Sequence, residues 1–119
     1  MKHVLSIVAL LFVCFGRGQA QKISLTEVNG YIGKYVTICG LVTGVIQDTR
    51  STGSPTFIDI GNADRREQLT VLIWKEDQGN FSYPLRELMG GRICITGIIM
   101  QYRGRPEIVV KGPGQISKD

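Results

Sequence analysis

Two segments of the chain share one spacing of glycine and β-branched residues, and this spacing is the strongest constraint on the fold. Residues 33–40 and 90–97 both have glycine at the first and eighth positions and valine or isoleucine at the fourth and sixth. Apolar residues at every second position predict β-strands with one buried face. A glycine inside such a strand marks a bulge or a bend. The pattern therefore predicts two long strands that bend at equivalent corners of a closed sheet.

The same periodicity predicts three further strands and one helix. Turns rich in glycine, proline and serine separate the alternating runs, so each run is predicted to be a strand. A proline near the start of residues 81–89, apolar side chains at helical spacing and a following glycine pair predict one short helix. In chain order the predicted strands are 34–47, 56–60, 69–74, 92–100 and 107–111.

Five strands with a helix between the third and the fourth follow the order of the OB-fold, a partly open Greek-key barrel. Closure suits a short chain because it hides sheet edges and builds one core from the inward-facing half of each strand. The predicted fold class is therefore all-β with one short helix, a five-stranded Greek-key OB-fold barrel. We assign it to residues 33–116, after a lead-in segment at 21–32 and before a tail at 117–119.

The first twenty residues have the composition of a secretory signal peptide. A charged start, an apolar run at 4–15 and small residues up to Ala20 predict cleavage before Gln21. The apolar run is shorter than the ~20 residues of a membrane span. We therefore expect an exported protein, periplasmic or secreted, with no stable membrane insertion of the mature chain. Lipidation at Cys14 is the alternative, although Val13 before it is larger than lipoprotein processing requires.

Removal of this segment changes the charge and leaves two cysteines. The full chain has 14 Lys and Arg residues against 10 Asp and Glu residues, and loss of Lys2 and Arg17 lowers its net charge from +4 to +2. Binding to an anionic ligand then depends on where the cations lie rather than on their number. The remaining Cys39 and Cys94 lie on the first and fourth predicted strands. They form either one disulfide or two separate apolar side chains of those strands.

Five motifs of the mature chain carry a resemblance to a known class of domain. They are Gly33-Lys34, TFIDIG at 56–61, GRICITG at 91–97, YRGRPEI at 102–108 and Pro113-x-Gln115-Ile116. Together they resemble OB-fold nucleic-acid-binding domains of the anticodon-binding and single-strand-binding kind, above all small exported versions. The resemblance covers residues 30–116. It implies binding of single-stranded DNA or RNA through the second and third strands, with a secreted nuclease or another protein as a partner.

Residues for catalysis are missing from the mature chain. The single histidine, His3, lies in the predicted signal peptide, which leaves no histidine to activate a nucleophile or to bind a metal. Two separated cysteines and scattered carboxylates do not form a metal site, and no phosphate-binding glycine loop is present. We therefore expect a binding module that is not an enzyme and uses neither a cofactor nor a metal.

Alternation along the second and third strands points to a binding face. It places Phe57 and Trp74 on the outside, where two rings would stack on bases, while Tyr102 is expected to cover the last hairpin. Cations around this face would contact phosphates. The predicted nucleic-acid-binding cations are Arg50, Arg65, Arg66, Lys75, Arg103 and Arg105.

Two other interpretations stay open. OB barrels also bind proteins, peptides and small ligands, and the small net charge suits an exported module for one of these. The third interpretation is a structural part of a larger assembly. Independently of these, the alternative to a binding face is that Phe57 belongs to the core, Trp74 caps the barrel end and the arginines only keep the surface soluble.

Overall fold

The computed structural model describes residues 19–61 and 68–119. Residues 1–18 of the predicted signal peptide lie outside the described residues. The strands are β1 (Gln21–Ile23), β2 (Tyr35–Gln47), β3 (Thr56–Gly61), β4 (Leu69–Ile73), β5 (Arg92–Tyr102), β6 (Arg105–Val109) and β7 (Ile116–Lys118). The helices are α1 (Lys75–Gln78) and the 3-10 helices Leu25–Tyr31, Leu85–Leu88 and Pro113–Gln115. Within the described residues, no helix is long and apolar enough to cross a membrane.

Five of the strands close into a barrel. Hydrogen-bonded neighbours follow the order β2, β3, β4, β6 and β5, and β5 pairs with β2 to complete the ring. The pairings are antiparallel except between β4 and β6, which are parallel. This is the strand order of the OB-fold, with the helical segment between its third and fourth strands. The predicted fold class is confirmed.

The core fills the barrel and is built from alternate residues of the strands. Its fully buried side chains are almost all β-branched, and each such burial stabilises the fold by about 1.5–3 kcal/mol. They are Val36, Ile38, Val42, Ile58, Ile60, Leu69, Val71, Ile73, Ile95, Ile99, Ile108 and Val110.

The repeated sequence spacing corresponds to a local two-fold symmetry of the β2–β5 pair. Gly33 and Gly90 precede the two strands with φ of +84° and +82°, a conformation that glycine adopts without strain. Each turn is tied to the far end of the opposite strand by two backbone hydrogen bonds. At the first turn, the N–H of Gly33 donates to the carbonyl of Ile99 (2.7 Å) and the N–H of Ile99 to the carbonyl of Lys34 (3.1 Å). At the second, the N–H of Gly90 donates to the carbonyl of Val42 (3.0 Å) and the N–H of Val42 to the carbonyl of Gly91 (2.8 Å).

The second glycine of each repeat gives room to a core side chain. A Cβ atom on Gly40 would lie 2.5 Å from Cγ2 of Ile60, and one on Gly97 would lie 2.6 Å from Cγ2 of Ile108. The role of both glycines is thus close packing inside the barrel. The bulge expected at Gly40 lies further along β2, where the register with β3 shifts between Val42 and Gly44.

The helix predicted at 81–89 is confirmed only in part. Within 81–89 only Leu85–Leu88 is helical, as a 3-10 helix, and the α-helix α1 lies before this segment. Pro84 is extended (φ −66°, ψ 132°), and a residue before proline is disfavoured in helical conformation. Before it, Phe81 is buried and packs edge-to-face on Tyr83 with ring centroids 5.8 Å apart. Aromatic packing and the proline thus replace the first turns of the expected helix.

Two short strands extend the sheet beyond the barrel. β1, from the predicted lead-in segment, pairs in parallel with residues 36–38 of β2. β7, which reaches into the predicted tail, pairs antiparallel with residues 93–95 of β5. Both segments are therefore parts of the sheet.

Candidate nucleic-acid interface

The outer face of the barrel carries a groove that crosses β3, β4 and β6. We name it the outer-face groove; its volume is 510 Å³. Its walls combine apolar, aromatic, cationic and acidic side chains. They are Ile46, Phe57, Asp59, Thr70, Tyr102, Arg103, Arg105 and Glu107.

Strand register sorts the outward-facing residues at and around the groove into two rows. Residues directly opposite each other on paired strands share a face of the sheet. The apolar row runs through Ile46, Phe57, Leu72 and Val109 on β2, β3, β4 and β6. The polar row beside it runs through Gly44, Asp59, Thr70 and Glu107, and ends at Met100 on β5.

The bulge in β2 completes the apolar row. Val36, Ile38 and Val42 face the core ahead of the bulge, and beyond the register shift Val45 takes the place of the next core residue. Ile46 consequently faces outward beside Phe57 and is 58% exposed. Bulges commonly redirect side chains in this way next to functional sites.

The polar row carries two carboxylates. Asp59 accepts a hydrogen bond from the Thr70 hydroxyl at 3.4 Å. Its neighbour Gly44 leaves it space, since a Cβ there would lie 3.1 Å from Oδ2 of Asp59. Glu107 is half-buried, and desolvation by burial raises the pKa of its carboxyl group above the ordinary value. Acceptor groups thus lie at the centre of a face that was predicted to be aromatic and basic.

The cations that line the groove in the described part of the chain come from the hairpin between β5 and β6. Its turn residues, Arg103 and Gly104, have φ of +51° and +79°, and positive φ at both positions is the mark of the tight type I′ hairpin turn. The guanidinium carbon of Arg103 lies 5.3 Å from the centroid of the Tyr102 ring, a cation–π contact. Arg105 is paired with Tyr102 across the hairpin.

Trp74 lies in a different recess from Phe57. This recess, of 430 Å³, is lined by Gly53, Ser54, Trp74, Lys75 and Glu76. The tip of the β2–β3 loop covers the indole, because a Cβ on Gly53 would lie 2.8 Å from its Cε3 atom. The N–H of Lys75 donates a hydrogen bond to the carbonyl of Gly53 at 3.1 Å, which holds the loop there.

The predicted site residues therefore fall into separate groups. Phe57, Arg103 and Arg105 share the outer-face groove, whereas Trp74 and Lys75 line the second recess. Arg50 is exposed on the β2–β3 loop and lines neither of the two. Arg65 and Arg66 lie outside the described residues.

Sequence reasoning did not assign five residues of the groove to the binding site. Tyr102 was expected to cover the hairpin, but it is 57% exposed and lines the groove. The others are Ile46, Asp59, Thr70 and Glu107. Alternation along the strands gives the outward orientation of Asp59 and Thr70, but the β4–β6 pairing that brings Glu107 beside them is not visible in the sequence.

A disulfide joins Cys39 to Cys94 across β2 and β5. The two residues are directly opposite in the register, and the Thr37 and Thr96 hydroxyls next to them form a hydrogen bond of 2.7 Å. A carboxylate oxygen of Asp119 lies within 4.8 Å of both sulfurs. Because the sulfurs are bonded to each other, this group offers no thiolate to a metal.

No protein-family model and no curated protein matches the chain. Solved structures do match it. In the structure of yeast Stn1 and Ten1, a chain superimposes with a TM-score of 0.61 and 18% identity over 84% of this chain and 63% of that one. Asparaginyl-tRNA synthetase of Pyrococcus horikoshii superimposes with a TM-score of 0.55 and 16% identity, over 83% of this chain and 23% of the synthetase chain. The OBody AM1L10, bound to hen egg-white lysozyme, superimposes with a TM-score of 0.52 and 14% identity, over 79% of this chain and 91% of the OBody chain.

These similarities establish the fold. The chain spans less than two thirds of the yeast chain and less than a quarter of the synthetase chain. Function has to be argued from the residues of this chain.

Proposed function

We propose that this protein is a non-catalytic OB-fold binding module that binds single-stranded nucleic acid in the outer-face groove. The supporting observation is that Phe57, Arg103 and Arg105 line one groove on the outer face of the barrel. In OB-folds this face and the loops beside it bind oligonucleotides and oligosaccharides. One of the structural neighbours is a tRNA synthetase.

Each part of the groove suits one part of a nucleotide. The rings of Phe57 and Tyr102 offer stacking surfaces, and stacking is worth about 1–3 kcal/mol per base whatever the base. Arg103 and Arg105 bring two guanidinium groups to the rim, where bidentate hydrogen bonds to phosphate form readily. The groove would therefore bind a strand by stacking against its bases and by contacting its phosphates.

The proposal includes export of the protein before it binds its ligand. Cleavage before Gln21 would leave β1, whose first residue pairs with Val36, complete to its first position. The cross-strand disulfide is also typical of periplasmic and secreted proteins. Expression of the full chain in a bacterium with an intact export system tests this. A mature protein that starts at Gln21 and contains no free thiol is expected; an uncleaved cytoplasmic chain would contradict export.

Fluorescence anisotropy of labelled oligonucleotides tests the binding function. The purified protein is expected to bind single-stranded DNA or RNA at low salt, with affinity that falls as salt rises. Phe57→Ala and the double change Arg103→Ala, Arg105→Ala should each weaken binding about tenfold or more, in line with the loss of one stacked base or two phosphate contacts. Trp74→Phe is the matched aromatic control and should change little. Absence of salt-sensitive binding at low salt would overturn the proposal.

A protein ligand is the second candidate, and one surface favours it. Tyr35 and Ile98 are opposite each other on β2 and β5 and are 56% and 53% exposed. Met100, 54% exposed, follows on the same face. Exposed apolar clusters of this kind often mark protein interfaces, and one structural neighbour is bound to lysozyme. A pull-down partner lost on Ile98→Ser, with no oligonucleotide affinity, would favour this function.

A further inference from the structure

We infer that Asp59 and Glu107 make the outer-face groove selective for bases that present hydrogen-bond donors, which disfavours thymine and uracil. This inference rests on the proposed function and adds a base preference to it. Both carboxylates line the groove together with its two rings. An ionised carboxylate only accepts hydrogen bonds. It therefore favours a base whose edge presents a donor over a base whose edge presents acceptors.

Each ring of the groove has a carboxylate beside it. Phe57 and Asp59 lie two residues apart on β3, so both face outward at a Cα separation of about 7 Å. Tyr102 is opposite Arg105, which places Glu107 diagonally across the β5–β6 pair. Diagonal neighbours in a sheet remain within reach of long and aromatic side chains. A base stacked on either ring would therefore turn an edge toward a carboxylate.

The chemistry of the bases gives the direction of the preference. Single strands offer the Watson–Crick edges of their bases to a protein. Cytosine and adenine present an amino donor there, and a carboxylate commonly accepts from the amino group of cytosine. Guanine presents two neighbouring donors, which match the two oxygens of a carboxylate. Thymine and uracil present one N–H between two carbonyl oxygens, and those oxygens repel a carboxylate.

The two carboxylates stand apart from the two described arginines of the groove. Among residues 19–61 and 68–119, no ion pair joins Asp59 or Glu107 to Arg103 or Arg105. The hydroxyl of Thr70 occupies only one oxygen of Asp59, at 3.4 Å. With respect to the described part of the chain, Oδ2 of Asp59 and the Glu107 carboxylate therefore remain as acceptors for a ligand.

The two carboxylates lie at separate positions along the groove. Asp59, Thr70 and Glu107 lie on three successive strands in one row. Strands are about 4.8 Å apart, so the Cα atoms of the two acidic residues are about 10 Å apart, with a threonine between them. The two carboxylates thus act on separate parts of a ligand.

Anisotropy titrations with matched oligonucleotides test the inference. A twelve-residue thymidine strand is compared with cytidine and adenosine strands and with a thymidine strand that carries two separated guanosines. Wild-type protein is expected to bind the donor-bearing strands about tenfold more tightly than the thymidine strand, within the discrimination of one good base contact. Asp59→Asn and Glu107→Gln keep the shapes of the side chains but remove their charges. Each should raise thymidine affinity and reduce the preference.

The controls separate this inference from the function on which it rests. Glu87→Gln removes an exposed carboxylate of the 3-10 helix Leu85–Leu88, away from the groove, and should leave the preference unchanged. Equal affinity for all strands would overturn the inference and leave the proposed function intact. No affinity for any strand would overturn both. Tight binding of a lysine-rich peptide in place of oligonucleotides, abolished by Asp59→Asn, would assign the carboxylates to a protein ligand instead.

Discussion

At the scale of single residues, Gly97 shows how tightly the barrel is packed. A Cβ at this position would lie 2.6 Å from Cγ2 of Ile108, which is fully buried. Overpacking of this kind costs about 1–3 kcal/mol. We expect Gly97→Ala to lower the free energy of unfolding by that amount in urea titrations.

Gly79 provides the control for this change. It has helical φ of −66° at the end of α1, and no heavy atom lies within 4 Å of its Cβ position. Gly79→Ala should therefore leave stability unchanged or raise it by about 0.4–1 kcal/mol. Equal stabilities of Gly97→Ala and wild type would show that Ile108 can repack.

Glu107 is expected to reduce stability at neutral pH. Burial raises the pKa of its carboxyl group, so the folded state disfavours the ionised form. A raised folded pKa gives stability that is full below the unfolded pKa and is lost as pH rises through the folded pKa. Glu107→Gln should therefore raise the melting temperature at about pH 7, and the gain should disappear below the ordinary glutamate pKa of about 4.3.

Thermal unfolding at both pH values checks this expectation. Glu87→Gln, in an exposed position, is the matched control and should show no such pH-dependent difference. A gain for Glu107→Gln that is the same at both pH values would exclude ionisation as its cause. A carboxylate retained at a cost in stability is what a ligand-binding role predicts.

At the scale of elements, the disulfide joins the two strands that close the barrel. Cys39 and Cys94 are 55 residues apart in sequence. A cross-link over a loop of this length restricts the unfolded chain, which corresponds to about 4 kcal/mol in the chain-entropy model and commonly to 2–4 kcal/mol in measurements. The double change Cys39→Ser, Cys94→Ser should lower the free energy of unfolding by about that amount.

The backbone ladder between β2 and β5 should keep this variant folded. Seven residue pairs from Tyr35–Ile98 to Leu41–Arg92 remain, with the hydrogen bond between Thr37 and Thr96 beside the former disulfide. Wild-type protein in reductant should unfold at the same urea concentration as the variant. Full wild-type stability of the reduced protein would contradict the expected role.

Asp48 organises the loop that covers Trp74. Its carboxylate accepts hydrogen bonds from the hydroxyl and N–H of Ser51 and the N–H of Arg50, and these bonds, led by the hydroxyl, lower its pKa. A lowered folded pKa gives stability above the unfolded pKa that is lost as pH falls through the folded pKa. Asp48→Ala should therefore loosen the loop at neutral pH, and acid should do the same to wild type.

Acrylamide quenching of the single tryptophan measures this change. Trp74 should become more accessible in Asp48→Ala, because Gly53 of the same loop lies against its ring. Thr49→Ala, an exposed change in that loop, is the control and should leave quenching as in wild type. Unchanged quenching in Asp48→Ala would show that the carboxylate does not hold the loop.

The strands were predictable from the sequence to a greater degree than the helical segment. Alternation in β2 and β5 is a direct trace of one buried face, and both strands lie within two residues of the predicted ends. The segment at 81–89 has apolar residues at helical spacing, but the buried contact of Phe81 with Tyr83 overrides it. β1 and β7 have three residues each, too few to show a period.

The candidate site was predictable only in part. Alternation placed Phe57 correctly on the outside, but a local pattern contains no information on which loops meet. The hairpin turn of Arg103 and Gly104 directs Arg103 and Arg105 to the groove of Phe57, while the β2–β3 loop isolates Trp74. Such groupings depend on pairings between strands distant in sequence.

At the scale of the whole molecule, the sheet repeats one plan twice. β2 is flanked by β1 at residues 36–38 and by β3 further along, and β5 is flanked by β7 at residues 93–95 and by β6 further along. The two sets are offset by the same 57 positions as the glycine spacings (33 to 90). β5 and β6 carry the cationic hairpin, and Ile46 lies on β2 just beyond the bulge. The groove therefore forms where these two parts of the sheet meet.

The small net charge that the proposed cleavage before Gln21 would leave makes this local arrangement decide how binding responds to salt. For single strands the logarithm of the affinity falls with the logarithm of salt concentration at a slope of about −0.7 for each phosphate contacted. Among residues 19–61 and 68–119, Arg103 and Arg105 are the cations that line the outer-face groove. We therefore expect a slope of about −1.4, reduced to about −0.7 in Arg103→Ala or Arg105→Ala. Arg50→Ala and Lys75→Ala, outside the groove, should leave the slope unchanged. Equal reductions in all four variants would show instead that the strand follows the wider face, past Trp74, that the sequence predicted.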